Sequence, residues 1–230
     1  MNEHTVKAFD ADIGELRGLI SQMGGLAEEQ IGRAMLALQR GDLALAAEVG
    51  AGDGAIDRLE AEVEKLAVRV IALRAPLADD LREVVAALKI AGVLERVGDY
   101  AKNIARRVPL VTGEGGTGGD RIEPVSVLPA MGRMAAGMVR DALDSFARRD
   151  PAGAVRVCES DRQLDDFYDS IFRTLVTFMV ENPRTVSQVA HLLFVAKNLE
   201  RIGDHAGNVA EMVYYAATGA RIADRPPAQP

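Results

Sequence analysis

Two segments of the chain carry the same spaced set of carboxylate and amide side chains. Leu94–Ile104 reads LERVGDYAKNI, and Leu199–Val209 reads LERIGDHAGNV. Each contains two acids and an asparagine, four residues apart: Glu95, Asp99 and Asn103 in the first, and Glu200, Asp204 and Asn208 in the second. Residues four apart on an α-helix are separated by about 40° around its axis, so each set lines one face. The spacing predicts two matching columns of oxygen ligands.

The two acid columns stand where an apolar helix seam would otherwise continue. Steps of three and four residues lead along apolar positions to the first acid of each column: Leu81, Val84, Leu88 and Ala91 to Glu95, and Val186, Val189, Leu193 and Ala196 to Glu200. An acid beside a core is costly unless it is paired or coordinated. Gly98 and Gly203 add about 1 kcal/mol each against alanine inside a helix. A bound cation or a close helix contact would explain both costs.

Further acids lie on one face of the preceding helix in each half: Asp53, Asp57, Glu60 and Glu64, and their counterparts Asp161, Asp165 and Asp169. An antiparallel helix pair would bring some of them to the columns, and we take Asp53, Asp57, Asp161 and Asp165 as candidate ligands. Because every candidate ligand is an oxygen, the expected cofactors are hard cations, namely Mg²⁺, Mn²⁺, Ca²⁺ or iron. Zinc is the less favoured alternative, since the sequence has no Cys–His cluster. The competing interpretation is a solvated face on which Arg96 and Arg201 pair with the acids.

The elements that must position these acids are duplicated along the chain. A shift of 108 residues lays Met23 on Met131 and Asp57 on Asp165, and a shift of 105 lays Glu95 on Glu200. Helical periodicity and stop signals predict helices over about 11–40, 43–75, 76–107, 125–149, 151–181 and 183–218. The predicted fold is all-α, with six long helices in two tandem, pseudo-symmetric three-helix bundles. The predicted divisions are a first bundle at 1–108, a glycine-rich connector at 109–124, a second bundle at 125–218 and a disordered tail at 219–230.

Composition narrows the class of protein. The chain has 230 residues, 48% apolar and 27% charged, which is typical of a globular protein. The formal net charge of −7 and the lack of a basic stripe argue against nucleic acid as a partner. A single cysteine, Cys158, favours a reducing compartment and an incidental thiol. With no signal peptide and no apolar run long enough to span a bilayer, we expect a cytoplasmic protein.

Beyond these inferences, the sequence resembles a known family. Leu199–Asn208, its first-half copy and His191–Asn198 are similar to the phosphate-uptake regulator family PhoU, over about residues 9–215. The resemblance implies six helices in two three-helix bundles, with metal on the acid–x3–acid motifs, here Glu95 with Asp99 and Glu200 with Asp204. Asn103 and Asn208 match the asparagine that follows each motif. Asp57 and Asp165 match the acid contributed by the preceding helix.

The resemblance also implies a role. PhoU-like proteins are regarded as non-enzymatic negative regulators of the phosphate-starvation response. They link the ATPase of the Pst phosphate transporter to a PhoR-like sensor histidine kinase, act as homodimers, and meet the membrane only through partners. One departure is Tyr100, where the second copy has His205, so the two sites need not bind metal alike. His205 itself points about 100° away from Asp204 on a helix, which favours packing over ligation.

Two other classes of function remain open at this point. A carboxylate-bridged helical metalloenzyme would use Glu-x-x-His pairs, and no such pair accompanies Glu95 or Glu200. A metal-free helical scaffold would hold the same acids in salt bridges.

Overall fold

The computed structural model describes residues 3–52, 54–112 and 126–224. Within these residues the chain forms eight α-helices and no strand, which confirms the predicted all-α class. The helices are α1 Glu3–Arg40, α2 Leu43–Ala51, α3 Ala55–Arg74, α4 Ala78–Ala105, α5 Val108–Thr112, α6 Leu128–Arg148, α7 Pro151–Glu181 and α8 Val186–Thr218. Short 3₁₀ turns cover Pro183–Thr185 and Ile222–Asp224. Asp53, most of the predicted connector (113–124) and half of the predicted tail (225–230) lie outside the described residues.

Aspartate caps begin corresponding helices in the two halves. The Asp42 side chain accepts a hydrogen bond from the Leu45 backbone N–H at 3.0 Å, and Asp150 accepts one from Ala152 at 2.9 Å. These caps satisfy backbone donors that have no partner within the helix. With Pro151 in its first turn, α7 has the bounds that the sequence predicted.

The second helix of the first half is broken, and the prediction of one continuous helix over 43–75 is wrong. Gly52 and Gly54 have φ of +64° and +65°, a left-handed conformation that glycine adopts without steric cost. The chain therefore turns between α2 and α3. The repeat replaces these glycines with Ser160 and Arg162, and α7 runs through this region without interruption.

Several other predicted helix ends differ from the structure. α1 starts at Glu3 because no helix-breaking residue precedes position 11. The helix predicted from about residue 76 begins instead at Ala78, so Pro76 lies before α4, in a turn where Ala75 and Ala78 both have positive φ. The helix predicted from about residue 183 begins instead at Val186, after a 3₁₀ turn, and the Asn182 side-chain amide donates to the Phe178 carbonyl at the end of α7. The start of the predicted connector folds into α5, where Val108 and Val111 are buried.

The two halves share one hydrophobic core. α1 and α4 of the first half pack against α6 and α8 of the second, and the buried residues of both halves form a single cluster. α4 and α8, which carry the two acid columns, meet where Tyr100 stacks on His205, with ring centroids 5.4 Å apart. Because Tyr100 and His205 are counterparts in the repeat, the two halves meet at equivalent positions. None of the described helices is long and apolar enough to cross a membrane.

A buried carboxylate also joins the halves. Glu83 on α4 is 4% exposed; it accepts a hydrogen bond from Arg17 of α1 at 2.6 Å and another from Arg149 after α6. Two cationic partners compensate the cost of burying this charge. Arg149 has φ of +51°, which is unusual for a residue with a side chain, and its repeat counterpart is Gly41 at +66°. Both residues directly follow the last residue of a helix, α6 and α1 respectively, where a left-handed conformation is common.

Candidate metal centres

Four acids from α7 and α8 form what we call the second acid cluster: Asp161, Asp165, Glu200 and Asp204. Carboxylate oxygens of Asp161, Asp165 and Asp204 all lie within 4.8 Å of one another. Glu200 stands one turn before Asp204, and its Oε1 is 2.6 Å from Lys197 Nζ. Asp161 and Asp165 are four residues apart on α7, so one helix face presents both to α8. The structure therefore brings together four residues that the sequence predicted as ligands.

Glycines on α8 allow α7 to approach closely enough to build this cluster. A Cβ added at Gly203 would overlap Leu164 Cδ2 and lie 3.3 Å from Asp161 Oδ1. A Cβ at Gly207 would lie 3.5 Å from Asp161 Oδ2. The close helix contact that the sequence offered as one reason for Gly203 is present, and it sets the distance between the acids.

The second acid cluster holds more negative charge than its surroundings neutralise. The pKa of Asp161 rises to about 6 because the carboxyl is partly buried and faces Asp165, Asp204 and Glu200. The pKa of Asp165 is also raised, by burial and then by Glu200, while Lys197 opposes that shift. Asp161 and Asp165 are therefore harder to ionise beside their neighbours, and a bound cation would relieve the repulsion.

The second acid cluster fits the hard cation that its donor set implies. Asp161 Oδ1 and Glu200 Oε2 are buried and accept no hydrogen bond from any described residue. A buried oxygen without a partner is costly, and carboxylate oxygens are ligands that Mg²⁺, Mn²⁺ and Ca²⁺ prefer. Beside them opens a pocket of about 400 Å³, lined by Cys158, Asp161, Asp204, Gly207, Asn208 and Glu211. The predicted ligand Asn208 thus borders the same space.

Two further groups, Glu211 and Cys158, lie in the wall of this pocket, and sequence reasoning missed the first of them. Glu211 follows Asp204 and Asn208 at helical spacing, a signal that could have found it. Cys158 is half-buried, and burial followed by the charges of Glu211 and Asp161 raises the pKa of its thiol to about 11. Hard cations prefer oxygen ligands to a soft sulfur ligand, so the carboxylates, and not Cys158, are the expected ligands of this site.

Four acids from α3 and α4 form the first acid cluster: Asp57, Glu60, Glu95 and Asp99. Burial raises the pKa of Glu95, helped by the charge of Asp99, a hydrogen bond with it, and the charges of Glu60 and Asp57. Gly98 allows the helices to approach, since an added Cβ would lie 2.9 Å from Ile56 Cδ1. Asn103, the third member of the predicted column, is exposed. The predicted residues Asp57, Glu95 and Asp99 are therefore neighbours here too.

A lysine enters the first acid cluster, and sequence reasoning missed it. Lys102 Nζ lies 3.1 Å from Asp99 Oδ1 and 4.0 Å from Asp57 Oδ1. Only 16% of its side chain is exposed. The sequence offered Arg96 and Arg201 as salt-bridge partners, whereas Asp99 and Glu200 pair with Lys102 and Lys197. The i, i+3 spacing of Asp99 and Lys102 was the available signal.

Comparison with known proteins assigns the family. The PhoU domain model matches residues 20–108 and 128–213. The chain belongs to the PhoU family. A PhoU homolog of Zymomonas mobilis is 53% identical over 222 residues, covering 96% of this chain and 92% of that protein. A PhoU homolog of Caulobacter vibrioides is 43% identical over 231 residues, covering 99% and 97%. Both carry the name phosphate-specific transport system accessory protein PhoU homolog.

Solved PhoU structures share the fold. The crystal structure of PhoU from Pseudomonas aeruginosa superposes with a TM-score of 0.85 at 37% identity, covering 92% of this chain and 100% of that one. The phosphate transport system regulatory protein PhoU from Streptococcus pneumoniae gives 0.84 at 28% identity, covering 93% and 99%. The resemblance read from the two LER(I/V)GD segments is thus confirmed.

Tyr100 and His205, at one of the positions where the two PhoU motifs differ, contact each other between α4 and α8. His205 Nε2 is 3.4 Å from the Tyr100 hydroxyl, and the two rings stack. Burial and, after it, the charge of Arg96 lower the pKa of His205. The imidazole packs against α4 instead of joining the acids, as its helical position predicted.

Proposed function

We propose that this PhoU-family chain is an accessory regulator of phosphate-specific transport, and that it acts by binding other proteins rather than by catalysis. The observation that carries the proposal is the 53% identity with the Zymomonas mobilis accessory protein, extending over 96% of this chain and 92% of that protein. A match over nearly the full length of both chains includes the parts of this chain that carry both motif copies.

In this proposal the chain represses the phosphate-starvation response by contacting a Pst-type transporter ATPase and a PhoR-like sensor kinase. Exposed apolar residues at the helix turns support a protein-binding role. Leu73 and Leu77, at the turn between α3 and α4, are 71% and 79% exposed, and Val180 near the end of α7 is 76% exposed. Leu73 and Leu77 are close neighbours at one turn, and exposed apolar side chains close together are typical of interaction surfaces.

The proposal also includes metal on the acid motifs. Asp161, Asp165, Glu200 and Asp204 would hold a hard cation, with Asn208 bordering the site, and the orphaned oxygens of Asp161 and Glu200 are the support. A bound cation would supply positive charge between α7 and α8. These residues then bind and orient, and no reaction is assigned to them.

A gene deletion tests the regulatory role. Under phosphate-replete conditions, loss of the gene should raise expression from phosphate-starvation promoters, and the wild-type gene should restore repression. Leu73→Glu with Leu77→Glu should restore it poorly and should weaken co-purification with the transporter ATPase or the kinase. Leu43→Glu, which changes an apolar residue on a different helix, is the matched control. Unchanged repression in the deletion strain would refute the proposal.

A further inference from the structure

We infer that the two halves of this chain neutralise their acids by different means: Lys102 serves as the built-in cation of the first acid cluster, whereas the second acid cluster takes the metal ion. This inference rests on the metal binding proposed above and adds that the binding is one-sided. It follows from three features of the described residues.

The position of the Lys102 ammonium is the first feature. It lies between acids of two helices, with Asp99 of α4 at 3.1 Å and Asp57 of α3 at 4.0 Å. Asp57 and Asp99 are also the first-half counterparts of Asp165 and Asp204, two members of the second-cluster triad. A cation binding between Asp57 and Asp99 would therefore have to displace the lysine or bear its repulsion.

The way the lysine is held in place is the second feature. Its aliphatic stem packs over Gly52, where an added Cβ would lie 2.7 Å from Lys102 Cε. Gly52 has φ of +64° and belongs to the break between α2 and α3. The break thus leaves room for the lysine stem. α7 continues unbroken through the corresponding region of the second half, with Ser160 in place of Gly52.

The third feature is the residue that replaces Lys102 in the repeat. The segment Ala101-Lys102-Asn103 recurs as Ala206-Gly207-Asn208. Gly207 lines the open pocket beside Asp161 and Asp204, so that pocket lies where the first half has its lysine. The lysine of the second half, Lys197, pairs instead with Glu200 at 2.6 Å. The triad Asp161, Asp165 and Asp204 keeps its oxygens within 4.8 Å of one another.

A reciprocal exchange of these two residues tests the inference. The full-length protein is stripped with a chelator and dialysed against Mn²⁺, the bound metal is quantified by elemental analysis, and its position is found by anomalous diffraction. We expect Mn²⁺ at the second acid cluster of the wild type. Gly207→Lys should weaken that binding at least tenfold, because it places an ammonium beside the acids. The protein should still fold, since a Cβ at this position makes only an ordinary contact with Asp161. Lys102→Gly should create Mn²⁺ binding at the first cluster.

Each outcome bears on the inference. If Lys102→Gly loses structure by circular dichroism, Lys102→Met removes the charge, keeps the stem and should also admit Mn²⁺. Wild-type protein with equal Mn²⁺ at both clusters would overturn the one-sided binding and leave metal binding intact. Mn²⁺ at neither cluster, in the wild type and in Lys102→Met, would overturn both. The expected result is Mn²⁺ at the second cluster alone in the wild type, weaker binding there in Gly207→Lys, and additional Mn²⁺ at the first cluster in Lys102→Gly or Lys102→Met.

Discussion

The first and second acid clusters descend from one repeated pattern, yet they differ in how their charge is balanced. In the first, Lys102 contacts Asp99 and Asp57. In the second, the three aspartates of α7 and α8 converge beside a pocket that Gly207 leaves open. Both halves keep the column of acids, but one position holds Lys102 in the first half and Gly207 in the second, so a lysine lies between the helices of the first cluster and an open pocket lies beside the second.

A second difference between the halves lies in the helix that faces each column. α2 and α3 are separated by left-handed glycines, whereas α7 is continuous. Continuity places Asp161 and Asp165 one turn apart on a single face, both directed at α8. In the first half, the aliphatic part of Lys102 packs over Gly52, at the break between α2 and α3. Backbone conformation and charge balance therefore differ together.

The largest effect should come from removing the acids that converge. Asp161→Asn with Asp204→Asn should weaken Mn²⁺ binding to metal-free protein by at least a factor of about 100, equivalent to about 3 kcal/mol, because two anionic ligands are lost. The measurement is the rise in melting temperature with added Mn²⁺. The matched pair in the first cluster, Asp57→Asn with Asp99→Asn, should leave that rise nearly unchanged. Equal losses in both double variants would break the comparison.

Much of this fold could be predicted from sequence because its signals are local. Apolar residues at helical spacing, Asp150 followed by Pro151, and Asn182 followed by Pro183 were enough to set both ends of α7. The structural role of each glycine could not be predicted from the sequence. Gly52 and Gly54 interrupt the helix, whereas Gly98 and Gly203 remain helical and allow close contacts with Ile56 and Leu164. Tertiary packing decides between these uses, and sequence patterns do not encode it.

For the site, too, local spacing could be predicted from the sequence, whereas contacts between helices could not. Spacing along one helix identified Glu95, Asp99, Glu200 and Asp204 as shared-face acids. It could not say which acids of the preceding helix come within ligand distance, because that depends on the helix approach allowed at Gly203. It also gave no reason to place Lys102 between Asp57 and Asp99, since that contact joins two helices.

The next largest effect should come from closing the helix approach. Gly203→Ala gains the same helix propensity as Gly98→Ala, yet it should still lower the free energy of unfolding by roughly 1–3 kcal/mol, because its Cβ overlaps the fully buried Leu164. Gly98→Ala meets Ile56 at 2.9 Å, and a gain of about 1 kcal/mol in helix propensity should offset most of its smaller strain. Urea denaturation midpoints measure both. A larger loss of stability for Gly98→Ala than for Gly203→Ala would contradict the view that α7 and α8 pack more closely than α3 and α4.

Stability without metal should depend on pH through Asp161. Its pKa is about 6 in the folded chain against an ordinary value of 3.8, so the native state holds the extra proton between these values. The corresponding stability is present below about pH 4 and is lost as pH rises through 6. Asp161→Asn should therefore stabilise the chelator-treated protein at pH 7.5 by about 1 kcal/mol after allowing for solvent screening, and should have little effect at pH 4. Urea unfolding at the two pH values measures this change.

The control for that pH experiment is Asp166→Asn, which changes an exposed acid on the same helix. It should leave the difference in stability between pH 4 and pH 7.5 as it is in the wild type. If Asp161→Asn destabilises the protein equally at both pH values, the carboxylate is held by attractive contacts, and the second acid cluster is not short of positive charge.

The smallest effect should come from replacing Lys197, the lysine beside the second acid cluster. Lys197 pairs with Glu200 and lies outside the aspartate triad, so Lys197→Met should free Glu200 and raise Mn²⁺ affinity by a few-fold, or roughly 0.5–1 kcal/mol. Lys89→Met, which changes an exposed lysine on α4, should leave the affinity unchanged. Weaker binding in Lys197→Met would mean that the ammonium holds Glu200 in position for the metal. Each cluster would then use its lysine as part of the site, and the distinction between the halves would lie in where that lysine stands.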